Sequence, residues 1–198
     1  SMILPGVDGE PFSYSALVLA DRAVRVVFGI ESLDQVASEA RTLGARMMII
    51  CGRHEAEAAD VVAGQLGDDL AWRISDVVQH VPVDVATQAL EAARDARAGV
   101  LISIGGGSAT GLAKAIARET GLPILAVPTT YAGSEMTPIW GQSDQGEKIT
   151  GRDPRVLPRI VIYDPALTTS MPPELTAASG MNALAHALEA LYAPDGTP

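Results

Sequence analysis

Aromatic residues are scarce, only 4% of 198 residues, and cysteine occurs once, at Cys51. A single cysteine excludes an internal disulfide framework, and a reducing, cytoplasmic setting is the expectation. Basic residues are also few, 14 lysines and arginines against 24 aspartates and glutamates, for a formal net charge of -10. Nucleic acid and anionic membrane surfaces both demand a basic footprint, so no nucleic-acid partner and no membrane partner are expected. The sequence has no apolar run of about 18 residues, the length a transmembrane helix needs. The start, Ser1-Met2-Ile3-Leu4-Pro5, lacks the charged opening and long apolar stretch of a secretory signal.

What is present is small and apolar. Hydrophobic residues make up 47%, with 31 alanines and 19 glycines. Small residues on helices and glycine at turns suit close helix–sheet packing, and the length suffices for a real core. Strand-like runs alternate with longer helical patterns. Strands are expected at Val24–Phe28, Arg46–Cys51, Trp72–Ser75, Val100–Ile104, Ile124–Val127 and Ile160–Tyr163. Helices are expected at Ser32–Leu43, with Ser32 and Gln35 at capping-box spacing, and at Glu55–Leu66. Further helices are expected at Val85–Ala98, burying Val85, Ala89, Ala92, Ala93 and Ala96, at Ser108–Thr120 and at Leu175–Tyr192. Residues 128–158 read as loop-rich, with room for a hairpin.

Strands apolar on both faces, alternating with helices, indicate an α/β fold: a Rossmann-like parallel sheet with helices on both faces. The pattern changes to purely helical near Pro172-Pro173. The expected organisation is a nucleotide-binding α/β domain over 1–172 and the start of an all-helical domain over 173–198, whose remainder lies outside this sequence.

Gly105-Gly106-Gly107-Ser108 joins the clearest buried strand to a helix. There a phosphate can lie against free N–H groups at the positive end of a helix dipole. The dinucleotide GxGxxG fails at Thr110, and the P-loop spacing of Gly106 and Gly111 is followed by Leu112-Ala113 rather than Lys and Ser/Thr. Phosphate or dinucleotide binding and a plain tight turn both remain open on the spacing alone. The next strand leads into Pro128-Thr129-Thr130-Tyr131-Ala132-Gly133-Ser134-Glu135. Two adjacent loops at strand carboxyl ends make a cofactor cradle, the alternative being an ordinary hydroxyl-rich turn.

These two loops, with Lys114, resemble the iron-containing alcohol dehydrogenase superfamily. Tyr163-Asp164-Pro165-Ala166-Leu167-Thr168 and Gly180-Met181-Asn182-Ala183-Leu184-Ala185-His186 fit it too. The runs from Thr129 to Gly141 and from Gly151 to Arg159 are similar to the maleylacetate reductase branch. The resemblance implies the dehydroquinate synthase-like architecture, an α/β domain and a helical domain with the active site in the cleft between them. It implies NADH- or NADPH-dependent reduction of the carbon–carbon double bond of maleylacetate to 3-oxoadipate, in aromatic and chloroaromatic compound degradation. Carried over by position, Gly106, Gly107 and Ser108 hold the pyrophosphate and Thr129 and Thr130 contact the nucleotide. Leu167 packs near the adenine end, and Lys148 is a further cofactor candidate.

Metal-dependent members of the superfamily carry an acidic ligand where this chain has Asn182, four residues before His186. A neutral amide is a poor replacement for a carboxylate on a divalent metal, so no metal is expected. His186, Asn182, Tyr131 and Ser134 are then candidates for the cleft, with no residue assigned as the proton donor. The substrate is a dicarboxylate, and Arg152, Arg155 and Arg159 cluster in an otherwise acidic chain. Arg152 and Arg155 are the candidates for binding its carboxylates, against the alternative of a solvated loop with surface ion pairs. Gly52-Arg53-His54 follows the Arg46–Cys51 strand where an acid would favour NAD, so NADPH is expected to be tolerated. A homodimer is the expected assembly, and the fragment alone is expected to be inactive. The competing readings are a metal-dependent alcohol or polyol dehydrogenase and a non-catalytic nucleotide-binding module.

Overall fold

The computed structural model of the chain describes residues 12–19, 22–75, 77 and 80–168. The helix expected over Leu175–Tyr192, the boundary near Pro172-Pro173, Asn182 and His186 all lie outside the described residues. The elements run β1 (Phe12–Leu19), β2 (Arg22–Phe28), α1 (Val36–Leu43), β3 (Met47–Cys51), α2 (Ala56–Leu66), β4 (Leu70–Ile74) and α3 (Val83–Asp95). Then come β5 (Val100–Gly105), α4 (Gly107–Thr120), β6 (Ile124–Pro128), β7 (Ile139–Asp144), β8 (Glu147–Arg152), β9 (Ile160–Tyr163) and α5 (Pro165–Thr168).

Seven strands form one sheet in the order β1-β2-β9-β6-β5-β3-β4. Six of them are parallel; only β1 runs antiparallel, along the edge of β2. This is the α/β parallel sheet the strand pattern predicts. Alternation along the central strands sends side chains to two cores. Met47, Ile49 and Cys51 of β3 meet Val36 and Ala40 of α1 and Ala59, Val62 and Leu66 of α2 on one face. Met48 and Ile50 meet Ala86, Ala89 and Ala93 of α3 and Leu112 and Ile116 of α4 on the other. A strand covered on both faces has no polar side, which is why Met47–Cys51 reads as an unbroken apolar run.

Three local expectations are corrected. The edge strand β1 was not anticipated: Phe12-Ser13-Tyr14-Ser15 mixes polar and apolar residues, as one-sided strands do. Ser32 forms no capping box; residues 32–35 make a 3-10 turn, and the Ser32 hydroxyl donates to the Tyr163 carbonyl at 3.1 Å. The Leu33 N–H donates to Asp164 Oδ2 at 3.2 Å, so the helix entrance is tied to the end of β9 instead. Helix α3 stops at Asp95, short of Ala98, because Arg97 turns to φ 51. The Arg97 and Ala98 N–H groups then bond the Arg94 and Ala93 carbonyls, a Schellman closure. Its buried residues are Ala86, Ala89 and Ala93, while Val85, Ala92 and Ala96 are only partly covered. The hairpin is found at β7–β8, paired from Ile139↔Arg152 to Asp144↔Glu147.

Candidate functional site: a glycine loop at the switch point of the sheet

Strand β3 is followed by α2 on one face of the sheet, and its neighbour β5 is followed by α4 on the other. Chains leaving adjacent strands for opposite faces open a crevice outside the strand carboxyl ends, the usual ligand position in such sheets. Gly105-Gly106-Gly107 lies at that crevice. Gly105 ends β5 at φ 144, backbone that side chains rarely adopt. A Cβ on Gly106 would stand 3.1 Å from the Thr130 side chain, so glycine there lets the second loop close over the first. Gly106 caps α4 with no side-chain hydrogen bond, and the first turn carries no acidic residue. The N–H groups at this end of a 14-residue helix are therefore presented to an anion without a competing carboxylate in the turn.

The neighbouring loop is held from beneath. Thr129 is 5% exposed, its N–H bonds the Gly105 carbonyl at 3.2 Å, and its hydroxyl donates to Glu55 Oε1 at 3.0 Å. Lys114, on α4, is fully buried. Its Nζ donates to the carbonyls of Ser134 (2.6 Å), Thr137 (2.8 Å) and Ile139 (2.7 Å). Burial lowers the Lys114 ammonium to about 8, and the nearby Glu135 carboxylate opposes the shift. Glu135, 5% exposed, accepts from the Tyr163 hydroxyl at 2.9 Å. Burial first, then the Glu135 charge, pushes Tyr163 far above its ordinary value, so it stays a donor. Lys114 thus secures a loop, and Tyr163–Glu135 ties that loop to β9.

The structure brings Gly106, Gly107, Ser108, Thr129 and Thr130 together, as the cofactor reading requires. Tyr131 is half exposed beside them, while Ser134 is committed through its carbonyl to Lys114. Leu167 packs at the edge of the α1–α2 core, beyond the carboxyl end of β9. Lys148 is exposed on β8, opposite Ser143, whose N–H bonds the Val81 carbonyl at 3.2 Å. The arginines are not brought to the crevice. Arg155 is clamped to its neighbour Asp153 by Nε and Nη2 at 2.7–3.1 Å and also feels Glu119, at the far end of α4. Fourteen helical residues put that end about 20 Å from the glycine loop. Arg152 pairs with Ile139 along the hairpin, and Arg159 sits where β9 begins, its N–H on the Ile124 carbonyl at the amino end of β6. Arg155 and Arg159 therefore stand toward the amino ends of the parallel strands, away from the glycine loop.

Glu55 was missed. It closes a 3-10 turn, Arg53–Glu55, directly after β3, and its carboxylate returns over Gly105. The only signal was an acid four residues past a buried strand, which pattern reading places on the first turn of a helix.

The family model described as iron-containing alcohol dehydrogenase matches residues 23–165. A maleylacetate reductase of Cupriavidus pinatubonensis is 53% identical over 176 residues, 88% of this chain and 49% of that protein. The crystal structure of maleylacetate reductase from a Rhizobium species superposes with a TM-score of 0.84 at 46% identity, covering 92% of this chain and 52% of that one. Sulfoacetaldehyde reductase from Bifidobacterium kashiwanohense, solved in complex with NAD+, gives 0.80 at 25% identity, covering 88% and 53%. The chain spans about half the length of the curated relatives it matches.

The matched family is iron-containing, which overturns the expectation that no metal is involved. That expectation rested on one neutral position, Asn182, yet an amide oxygen is itself a metal ligand type and one position does not define a coordination shell. Among the described residues no group of three His, Cys, Asp or Glu is placed to hold an ion, so these residues do not fit a metal by themselves. Among them, too, no helix is long and apolar enough to cross a membrane. With its switch-point glycine loop, its buried Lys114 and the match across 23–165, the chain belongs to the iron-containing alcohol dehydrogenase family.

Proposed function

We propose that this chain is the nucleotide-binding part of an NADH- or NADPH-dependent maleylacetate reductase, a cytoplasmic enzyme of aromatic-compound breakdown that yields 3-oxoadipate. The observation that carries the reading is the 53% identity to a maleylacetate reductase across the very segment that forms the glycine loop and the Thr129–Glu135 loop. The open N-terminus of α4 supports a dinucleotide: its N–H groups bind the pyrophosphate, and Gly106 gives the close approach. Ser108, in the first turn of α4, bonds a phosphate oxygen, Thr129 and Thr130 line the β6 side, and Leu167 offers an apolar edge. A bound nicotinamide would supply the hydride for one alkene carbon, the other carbon taking a proton from a donor that remains to be assigned. Tyr131, exposed on the loop after β6, would offer its hydroxyl to the conjugated carbonyl where charge develops.

Residues 1–172 are proposed as the nucleotide domain and 173–198 as the start of a helical one, with Asn182 and His186 facing the cleft. The substrate is a small dicarboxylate, with its carboxylate partners outside the Arg152–Arg159 stretch, and the assembly is a homodimer. The test is steady-state NADH oxidation by the intact protein with maleylacetate, set beside oxidation of simple alcohols and polyols with NAD+ before and after chelation. Rapid turnover of maleylacetate supports the proposal. Turnover of alcohols alone, lost on chelation, supports the second reading, an alcohol or polyol dehydrogenase, which the family's description favours. Nucleotide binding with neither turnover supports a non-catalytic module.

A further inference from the structure

We infer that Trp140 is a positioning residue of the dinucleotide site. Its ring sets the β7–β8 hairpin on α4, and the hairpin in turn holds the His80–Val81 turn against the early turns of that helix. The inference rests on the dinucleotide reading above and deepens it, giving a role to a hairpin that stands apart from the seven-stranded sheet.

The hairpin meets α4 at successive turns. Its first residue, Ile139, gives its carbonyl to Lys114 Nζ at 2.7 Å. The next, Trp140, lies under the Arg118 guanidinium, whose Cζ is 4.1 Å from the ring centroid. Lys114 and Arg118 stand one turn apart on one helix face. The ring also covers its cross-strand partner: Trp140 pairs with Gly151, where a Cβ would stand 2.5 Å from Cζ2 and 2.7 Å from Cε2. Any larger residue at that position displaces the ring. Attraction to the cation and close packing on the glycine together fix where the indole sits.

From that fixed point β7 runs back toward the start of α4. Ser143 donates its N–H to the Val81 carbonyl at 3.2 Å, and Pro82 forms a bridge with Ser143. Val81 is 4% exposed, and its Cγ2 lies 3.0 Å from where a Cβ on Gly111 would stand. Gly111 is one turn along α4 from Gly107, whose own Cβ would meet Ala132 of the loop after β6 at 3.8 Å. The loops after β4 and β6 therefore close on one face of α4, beside the open N-terminus proposed for the pyrophosphate. The first of them is strained: His80 has φ 66, and the β-branched Val81 has φ 45. Such backbone persists only where its surroundings over-determine it, and the Ser143 N–H is the hairpin's contribution. A wall already held in place does not have to be ordered when the ligand arrives, so the hairpin acts on affinity through preorganisation.

The test is NADH binding to the intact protein, read by nucleotide fluorescence, with amide hydrogen exchange around Val81 and Ser143 measured on the free protein. Trp140→Leu speeds exchange at both places and weakens NADH binding about tenfold, well below its melting temperature. Trp140→Phe, which keeps a ring under Arg118, stays within about twofold of the wild type. Ser143→Pro leaves the ring alone, removes the N–H that reaches Val81 and weakens NADH binding likewise; it carries the test if Trp140→Leu does not fold. Unchanged NADH affinity in the folded variants overturns the positioning role and leaves the dinucleotide reading intact. Equal weakening by Trp140→Phe and Trp140→Leu, or weakening without faster exchange around Val81, overturns it as well, because the effect then does not pass through the stack and the hairpin. Failure of the wild type to bind NADH overturns both readings.

Discussion

Two loops leave adjacent strands, β5 and β6, and solve opposite problems. The loop after β5 leaves backbone donors without side-chain partners: Gly106 caps α4 bare, and the first turn has no acid. The loop after β6 uses up backbone acceptors: the carbonyls of Ser134, Thr137 and Ile139 converge on one buried Nζ. One is left with open backbone donors, the place where the proposed dinucleotide would bind. The other is completed internally, so that it stays where it is. Binding sites of this kind combine an open set of polar groups with a second set satisfied within the protein, because buried groups without partners cost stability unless they serve a ligand.

The largest expected effect strikes the internally completed loop. Lys114→Met takes the ammonium donor from three carbonyls, of which that of Ser134 keeps the Thr137 N–H and hydroxyl, and costs about 3 kcal/mol in denaturant unfolding of the intact protein. The same substitution removes a pH dependence. The ordinary value for lysine is 10.5, and the folded chain lowers Lys114 to about 8. Between those values the unfolded chain holds a proton that the folded chain has released, so this group makes stability rise with pH over that window and adds no slope below it. Unfolding midpoints from pH 7 to 10.5 show the slope in the wild type and its loss in the variant; identical slopes would break the comparison.

Next comes the open loop. Gly106→Val drives a side chain into Thr130 and shuts the approach to the α4 N-terminus, so NADH affinity falls by about a hundredfold while the melting temperature moves little. If both loops were merely structural, affinity and stability would fall together. A smaller effect sharpens the link to β9: Tyr163→Phe strips the buried Glu135 of a donor and costs about 1 kcal/mol, measured by thermal unfolding. The smallest belongs to the opposite end of the sheet. Arg155→Ala breaks an exposed pair with Asp153, and both the melting curve and the KM for maleylacetate stay within error of the wild type. A raised KM would return Arg155 to the substrate site.

The glycine loop was legible because its neighbours in the chain are also its neighbours in space: a buried strand, three glycines and a helix state the geometry locally. The central strands were legible for the same reason, since burial on both faces removes every polar alternate residue. Arg152, Arg155 and Arg159 show that closeness along the chain is not closeness to a site: Arg152 ends the hairpin, Arg155 lies in the turn after it, and Arg159 precedes β9. Lys114 was noticed through resemblance, but its partners lie 20 to 25 residues downstream, so its task could not be read.

The sequence alone determined the class of fold, the central strands and the position of the glycine loop, because apolar periodicity and glycine placement act over a few residues. The tertiary structure decided which groups face that loop. Glu55 and Thr129 are 74 positions apart, and Ser32 and Tyr163 are 131 apart. Those pairs exist only once β3, β5, β6 and β9 lie side by side, and the pairing of strands distant in the chain leaves no local signal.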